Sequence, residues 1–267
     1  MRPESFLRWL RTGAVACAAL LSVAFAQDSS RDQLRFIVQQ VCLTHWRLTG
    51  DPAPCLRLTA DGGGSDPRAF ALLADRKGGA HLLLIPVATI AGIESSAVRA
   101  PGAFNFFDAA WRARDALAGT IGYTPPRASI GMAVNPVRRR SQDQLHIHIS
   151  CLNPAVYGAL QAEAPKLGLG WSAIRIGAAR YEALRIMGSE LDAHNPFELL
   201  AAHLPHADDA TMGGYTLLLA GTRFTEGPGF VLLTGSHVPP AERLLDGSCA
   251  VLRSAMGKAA SPTALQP

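Results

Sequence analysis

The sequence predicts an α+β fold, an antiparallel sheet with flanking helices. Two observations point there. Its apolar strand-like runs come in hairpin pairs, and no strand–helix–strand repeat of the kind that builds a parallel sheet interrupts them. A hydrophobic content of 48% with only 17% charged residues, over 267 residues, adds enough apolar material for one sizeable core.

The chain begins with Arg2, Arg8 and Arg11, followed by "GAVACAALLSVAFA", an apolar run with small residues at Ala24 and Ala26. That layout predicts an export signal over 1–26, cut after Ala26 or kept as a membrane anchor. Gly13 to Ala26 is shorter than the ~20 residues that cross a bilayer, unless Leu7 to Leu10 are recruited. Either way the folded part, 27–255, is expected outside the cytoplasm, followed by a disordered tail over 256–267. Without Arg2, Arg8, Arg11 and Glu4, the net charge of +4 falls to 22 Lys+Arg against 20 Asp+Glu, or +2. Such a balance is too small to argue for a nucleic-acid partner, and none is expected; nothing in the sequence implies a protein partner.

Residues 30–49 read as a helix. Ser30 and Gln33 have capping-box spacing, Leu34, Val38, Val41 and Leu48 recur at helical intervals, and Gly50 stops the run. "DPAPC" and "DGGGSDP" (61–67) are loops. "AFALLAD" and "AHLLLIPVATI" flank "RKGG" as a hairpin. "FNFFDAAWRARDALAG" (104–119) is the best internal helix, with Asn105 as its cap and Gly119 as its end. "ASIGMAVN" (128–135) and "QLHIHISC" (144–151) are expected to be antiparallel neighbours joined by a long loop containing Arg138, Arg139 and Arg140. Residues 155–212 read as helical turns broken by Pro165, Gly168, Gly170 and Pro196. "YTLLLAG" (215–221) and "GFVLLTG" (229–235) form a last hairpin.

Beyond Cys17, four cysteines remain, an even number suited to two disulfides in an exported protein. The favoured pairing of the three available is Cys42–Cys55, closing a short Pro-containing loop, and Cys151–Cys249, tying the end of the "HIHIS" strand to the C-terminus. No cysteine spacing resembles a zinc ribbon.

The segment "RRRSQDQLHIHISC" (138–151) carries the chemistry. Strand alternation sends Gln144, His146, His148 and Ser150 to one face, ~7 Å apart, and Leu145, Ile147 and Ile149 into the core on the other. The polar row is a solvent-facing stripe, a metal site or a catalytic wall. A metal site needs a third ligand, and no Asp, Glu or His is tied to the pair by a recognisable spacing. A two-histidine phosphoesterase needs His-x-Ser/Thr twice, and only His148-Ile149-Ser150 fits.

Ser141, Gln144, His146 and His148, with Asn135 upstream, resemble the histidine-triad (HIT) pattern of nucleotidyl hydrolases and transferases. Gln144 stands where the first histidine would be, with His146 central and His148 third. Together with "AVNP", "IPVATIAGIES" (85–95), "FNFFDAAWRARD" (104–115) and the four cysteines, the chain from about 31 to 250 resembles the HIT-like CDP-diacylglycerol pyrophosphatase family.

That resemblance implies a HIT-like fold and hydrolysis of CDP-diacylglycerol to CMP and phosphatidate. It implies His146 as nucleophile, forming a CMP-histidine, and His148 as donor to the phosphate in the transition state. Gln144, Ser141 and Asn135 would bind substrate, with no metal or other cofactor. The partners implied are the lipid nucleotide and a membrane surface, at the periplasmic face of the inner membrane. Arg138, Arg139 and Arg140 are either a solvated loop or an attraction for anionic headgroups. Phe104, Phe106, Phe107 and Trp111 are core, or else a wall for cytosine or an acyl chain. The rivals are a non-catalytic binder of nucleotide-lipids and a broader nucleoside diphosphate-X hydrolase or CMP-transferase.

Overall fold

The computed structural model describes residues 31–60 and 65–253. The expected export segment, the Ser30 cap, "DGGG" (61–64) and the C-terminal tail lie outside them. One nine-stranded sheet organises the fold, in the order β1-β2-β3-β5-β4-β8-β9-β7-β6 with every pair antiparallel. The strands are β1 (Arg57–Thr59), β2 (Phe70–Ala74), β3 (His81–Pro86), β4 (Ile130–Val134), β5 (Ile147–Cys151), β6 (Ser172–Ile176), β7 (Ala179–Met187), β8 (Tyr215–Phe224) and β9 (Gly227–Ser236).

Each face of the sheet is covered differently. Leu82, Leu84, Met132, Ile147, Ile149, Leu219 and Leu232 alternate onto one face. The helix Phe106–Ala113 covers them, capped by Asn105, whose side chain accepts from the Asp108 N–H. Phe106, Phe107 and Trp111 are buried in this core, so they are not a wall for cytosine or an acyl chain. Gly119 does not end this helical region. It continues through Arg114–Leu117 and Ala118–Ile121 to Gly122, which takes the left-handed conformation at φ +82°.

The opposite face has two separate covers. Continuous helical turns over 33–49, with a π-helical middle at Ile37–Cys42, pack Val38, Cys42 and Leu43 onto Ala71, Leu73, Leu83 and Ile85. The helix Pro154–Glu163 packs Val156 and Leu160 onto Ala133, Leu218, Val231 and Leu233. β5 lies between the two covers, which leaves a gap over its polar residues.

Both expected disulfides form, Cys42–Cys55 and Cys151–Cys249, and free thiols are thereby excluded at these positions. The expectation of broken helical turns over 155–212 fails at β6 and β7, which form a hairpin around Gly177 (φ +60°) and Ala178. Ile174, Ile176, Tyr181 and Ala183 alternate inward there, a period-2 pattern masked in the sequence by Arg175, Arg180 and Glu182.

Candidate active site

The register brings the site together. β5 pairs with β3 on one side, setting His148 opposite Leu83 and Ser150 opposite His81. On its other side it pairs with β4, setting His148 opposite Ala133. Two residues further along the same face of β4 is Asn135, and two residues back from His148 is His146. Because β5 is an inner strand and its polar row sits in the cleft between two covers, that row is not a solvent-facing stripe. His146 and His148 are 7% and 4% exposed.

The two imidazoles line a cavity of about 610 Å³ together with Asn135, Arg139, Ser141, Asp75, Lys77 and Glu242. Gln33, Leu34 and Ile37 of the first helix complete one wall. Their rings are T-shaped to each other with centroids 4.9 Å apart.

His146 Nδ1 lies 2.7 Å from the carbonyl oxygen of Gln144. A carbonyl only accepts, so Nδ1 carries the proton and Nε2 carries the lone pair. Burial lowers the His146 pKa, opposed by the bond to Gln144 and the charge of Glu242, and the net shift is downward. The ring is therefore neutral at pH 7 and nucleophilic at Nε2.

His148 Nδ1 lies 3.0 Å from His81 Nε2, and His81 Nδ1 lies 3.6 Å from Asp75 Oδ2. One of these two facing ring nitrogens carries the shared proton, and each outer nitrogen has a carboxylate near it, Asp75 beside His81 Nδ1 and Glu242 beside His148 Nε2. Burial, then the neighbouring His146 and His81, push the His148 pKa well down. Its Nε2 is buried without a hydrogen-bond partner, 3.5 Å from Glu242 Oε2. The donor role toward a phosphate oxygen that the family resemblance implies requires the proton on this nitrogen.

Gln144 is not a free amide donor. It is fully buried, and its Nε2 donates to the carbonyls of Pro86 and Ala88 at 2.8 Å each. It ties the loop after β3 to the start of the histidine row instead of facing the cavity. Asn135 does line the cavity, but its Oδ1 accepts the backbone N–H of Glu242, so its Nδ2 is what it has to offer a ligand. Ser141 is exposed on the cavity wall.

The three arginines divide. Arg138 and Arg139 are exposed, whereas Arg140 is 8% exposed and paired bidentately with Glu94 at 2.7 Å and with Asp143 at 3.0 Å. Arg140 is thus an internal brace of the loop, neither solvated nor available to headgroups.

Asp75, His81, Lys77 and Glu242 are site residues that sequence reasoning missed. Asp75 and His81 belong to the β2–β3 hairpin, and no spacing ties them to β5 because the pairing joins strands 67 residues apart. His81 opens a strand and could have been found by matching its alternation to that of His148. Glu242 lies in a short 3-10 turn after two prolines and carries no sequence signal. Asp75, His81 and His148 each bring one ligand atom within 4.8 Å of the others, so the third ligand a metal site requires does exist in space.

This arrangement suits group transfer from a phosphorus: a neutral nucleophile of fixed tautomer, a second imidazole beside it and flanking carboxylates in a cavity. The protein-family model described as CDP-diacylglycerol pyrophosphatase matches residues 29–253. A protein of Yersinia pestis named CDP-diacylglycerol pyrophosphatase is 36% identical over 231 residues, covering 84% of this chain and 86% of that protein. With the site, the sheet and these matches in agreement, the chain belongs to the CDP-diacylglycerol pyrophosphatase family.

Proposed function

We propose that this chain hydrolyses the pyrophosphate of CDP-diacylglycerol to CMP and phosphatidate, with His146 as nucleophile. Family membership supports the reaction and its substrate. The observation that carries the nucleophile is the 2.7 Å contact of His146 Nδ1 with the Gln144 carbonyl, which holds the Nε2 lone pair ready in the cavity. Nε2 attacks the α-phosphorus, and the P–O bond to phosphatidate breaks with its electron pair on the departing oxygen. Water then attacks the CMP-histidine, the P–N bond breaks, and the pair returns to Nε2. Two displacements at phosphorus replace one harder attack by water.

The developing charge on the phosphoryl oxygens needs donors. Asn135 Nδ2, the Ser141 hydroxyl and Arg139, which line the cavity, are the donors we assign, and His148 joins them when its Nε2 carries the proton. Gln144 acts behind His146, positioning it through the backbone carbonyl.

The substrate is a membrane lipid, so the cavity has to work at a bilayer surface. Among the described residues no helix is long and apolar enough to cross a membrane. The apolar stretch of residues 13–26 precedes the folded part, and the two disulfides favour an oxidising compartment. Both features support a site outside the cytoplasm, associated with the membrane that holds the substrate.

The test is incubation of the pure protein with CDP-diacylglycerol in detergent micelles, with and without EDTA, and detection of CMP. CMP release that survives the chelator and drops below detection in His146→Ala is expected. Continued release by His146→Ala would remove the nucleophile, and release abolished by EDTA would make the reaction metal-dependent. Failure of the wild type to release CMP would sink the substrate assignment.

A further inference from the structure

We propose that Glu242 is the general base of the second half-reaction, taking the proton from the water that hydrolyses the CMP-histidine. This rests on the reading of His146 as nucleophile.

The two half-reactions make different demands. Phosphatidate departs as a phosphate oxygen, which is stable as an anion and needs no proton from the protein. Water is a poor nucleophile until a base takes its proton. A base is therefore needed after phosphatidate has gone, and the water must stand where phosphatidate stood, in line with the P–N bond.

Among the described residues, two carboxylates line the cavity, Asp75 and Glu242. Asp75 faces His81 Nδ1 at 3.6 Å, and its Oδ1 accepts the Lys77 backbone N–H at 3.0 Å. The Glu242 carboxylate accepts no hydrogen bond among the described residues. Its neighbours are His148 Nε2 at 3.5 Å and Lys77 Nζ at 3.7 Å; the lysine offsets its charge, and neither occupies its lone pairs in a close bond. Of the two carboxylates Glu242 also acts more strongly on the charge of the His146 ring.

His148 Nε2, the other nitrogen nearby, lies 3.5 Å from Glu242 Oε2 and belongs to a ring whose basicity burial suppresses. Glu242 instead lines two cavities. The second, of about 490 Å³, is bounded by Lys77, Gly78, Gly79, His81, Arg243 and Gly247. Water can thus reach this carboxylate from the second cavity as well as from the first. Its backbone is fixed as well, because Asn135 Oδ1 accepts the Glu242 N–H at 3.2 Å, linking the 3-10 turn to the end of β4.

The proton balance is simple. Water oxygen bonds to phosphorus, the P–N electron pair returns to His146 Nε2, and the water proton passes to Glu242 and then to solvent.

The experiment compares wild type, Glu242→Gln and Glu242→Asp on CDP-diacylglycerol labelled in the cytidine, quenched in base to preserve the phosphoramidate. In Glu242→Gln we expect kcat to fall by roughly 10²–10⁴-fold, the range general-base catalysis supplies. The kcat/KM should hold, because it reports only the steps up to phosphatidate release. A burst of one phosphatidate per protein and a CMP-histidine accumulating on His146 should accompany the loss. Glu242→Asp, its carboxylate one methylene further back, should fall between, and it carries the same test should Glu242→Gln not fold. Equal losses in kcat and kcat/KM, or an unchanged kcat, would overturn the role of Glu242 while a wild-type adduct left His146 standing. Absence of the adduct in all three proteins would overturn both.

Discussion

His81 Nε2 stands 3.0 Å from His148 Nδ1, joining the β2–β3 hairpin to the histidine strand inside the protein. Since His81 reaches the cavity through His148, it is a positioning residue. His148→Ala should lower kcat by about 10²–10³-fold, the usual loss for one transition-state donor. His81→Phe should lower it less. The double variant should match His148→Ala alone, because the first effect passes through the second residue. Steady-state kinetics of the three variants checks this. Additive losses would show that His81 acts on its own.

The pH response follows from burial. His81, His146 and His148 all have lowered pKa values, chiefly from desolvation, with Asp75 and Glu242 opposing and Lys77 reinforcing the shift at His81. Unfolded imidazoles take up protons near pH ~6.5, before the folded ones do. Stability is therefore complete above that value and declines as pH falls toward the folded values, where the unfolded state binds more protons. Melting temperatures from pH 8 to pH 5 should drop below pH ~6.5, with a shallower slope in His81→Phe. An acid limb of kcat/KM centred above ~6.5 would contradict a buried, neutral His146.

The loop before the histidine strand depends on one buried cation. Burial opposes the charge of Arg140, yet its ion pairs with Glu94 and Asp143 outweigh that and raise its pKa. Arg140→Ala leaves Glu94, itself mostly buried, without its partner. The expected loss is about 3–5 kcal/mol, as for one side of a buried pair. Gly92 is part of the same construction, since a Cβ there would collide with Arg140 Nη1 and stand 2.8 Å from Glu94 Oε2. Gly92→Ala should be destabilising too, and urea unfolding measures both. A loss below 1 kcal/mol in Arg140→Ala would mean the loop does not rely on this pair.

The disulfides should contribute unequally. Cys151–Cys249 spans 98 residues and Cys42–Cys55 spans 13. Loop-closure entropy gives about 4–5 kcal/mol for a loop near 100 residues and about 3 kcal/mol for one near 15. Cys151→Ser with Cys249→Ser should thus destabilise more than Cys42→Ser with Cys55→Ser in equilibrium denaturation. The reverse order would show that native-state contacts, and not chain entropy, set their worth.

Local pattern in the sequence was enough for the antiparallel α+β class, the hairpins, the helix capped by Asn105, both disulfides and the shared face of His146 and His148. Alternation, capping and loop length act over a few residues, so they are written where they operate. Its failures arose where partners are remote. Strand order set β5 between β3 and β4 and so brought Asp75, His81 and Glu242 to the histidines. Packing turned Arg140 inward, gave both amide protons of Gln144 to Pro86 and Ala88, and put the aromatic cluster behind the sheet. Such outcomes depend on which distant surfaces meet when the sheet is covered. No spacing along the chain encodes that, and the tertiary structure alone decided them.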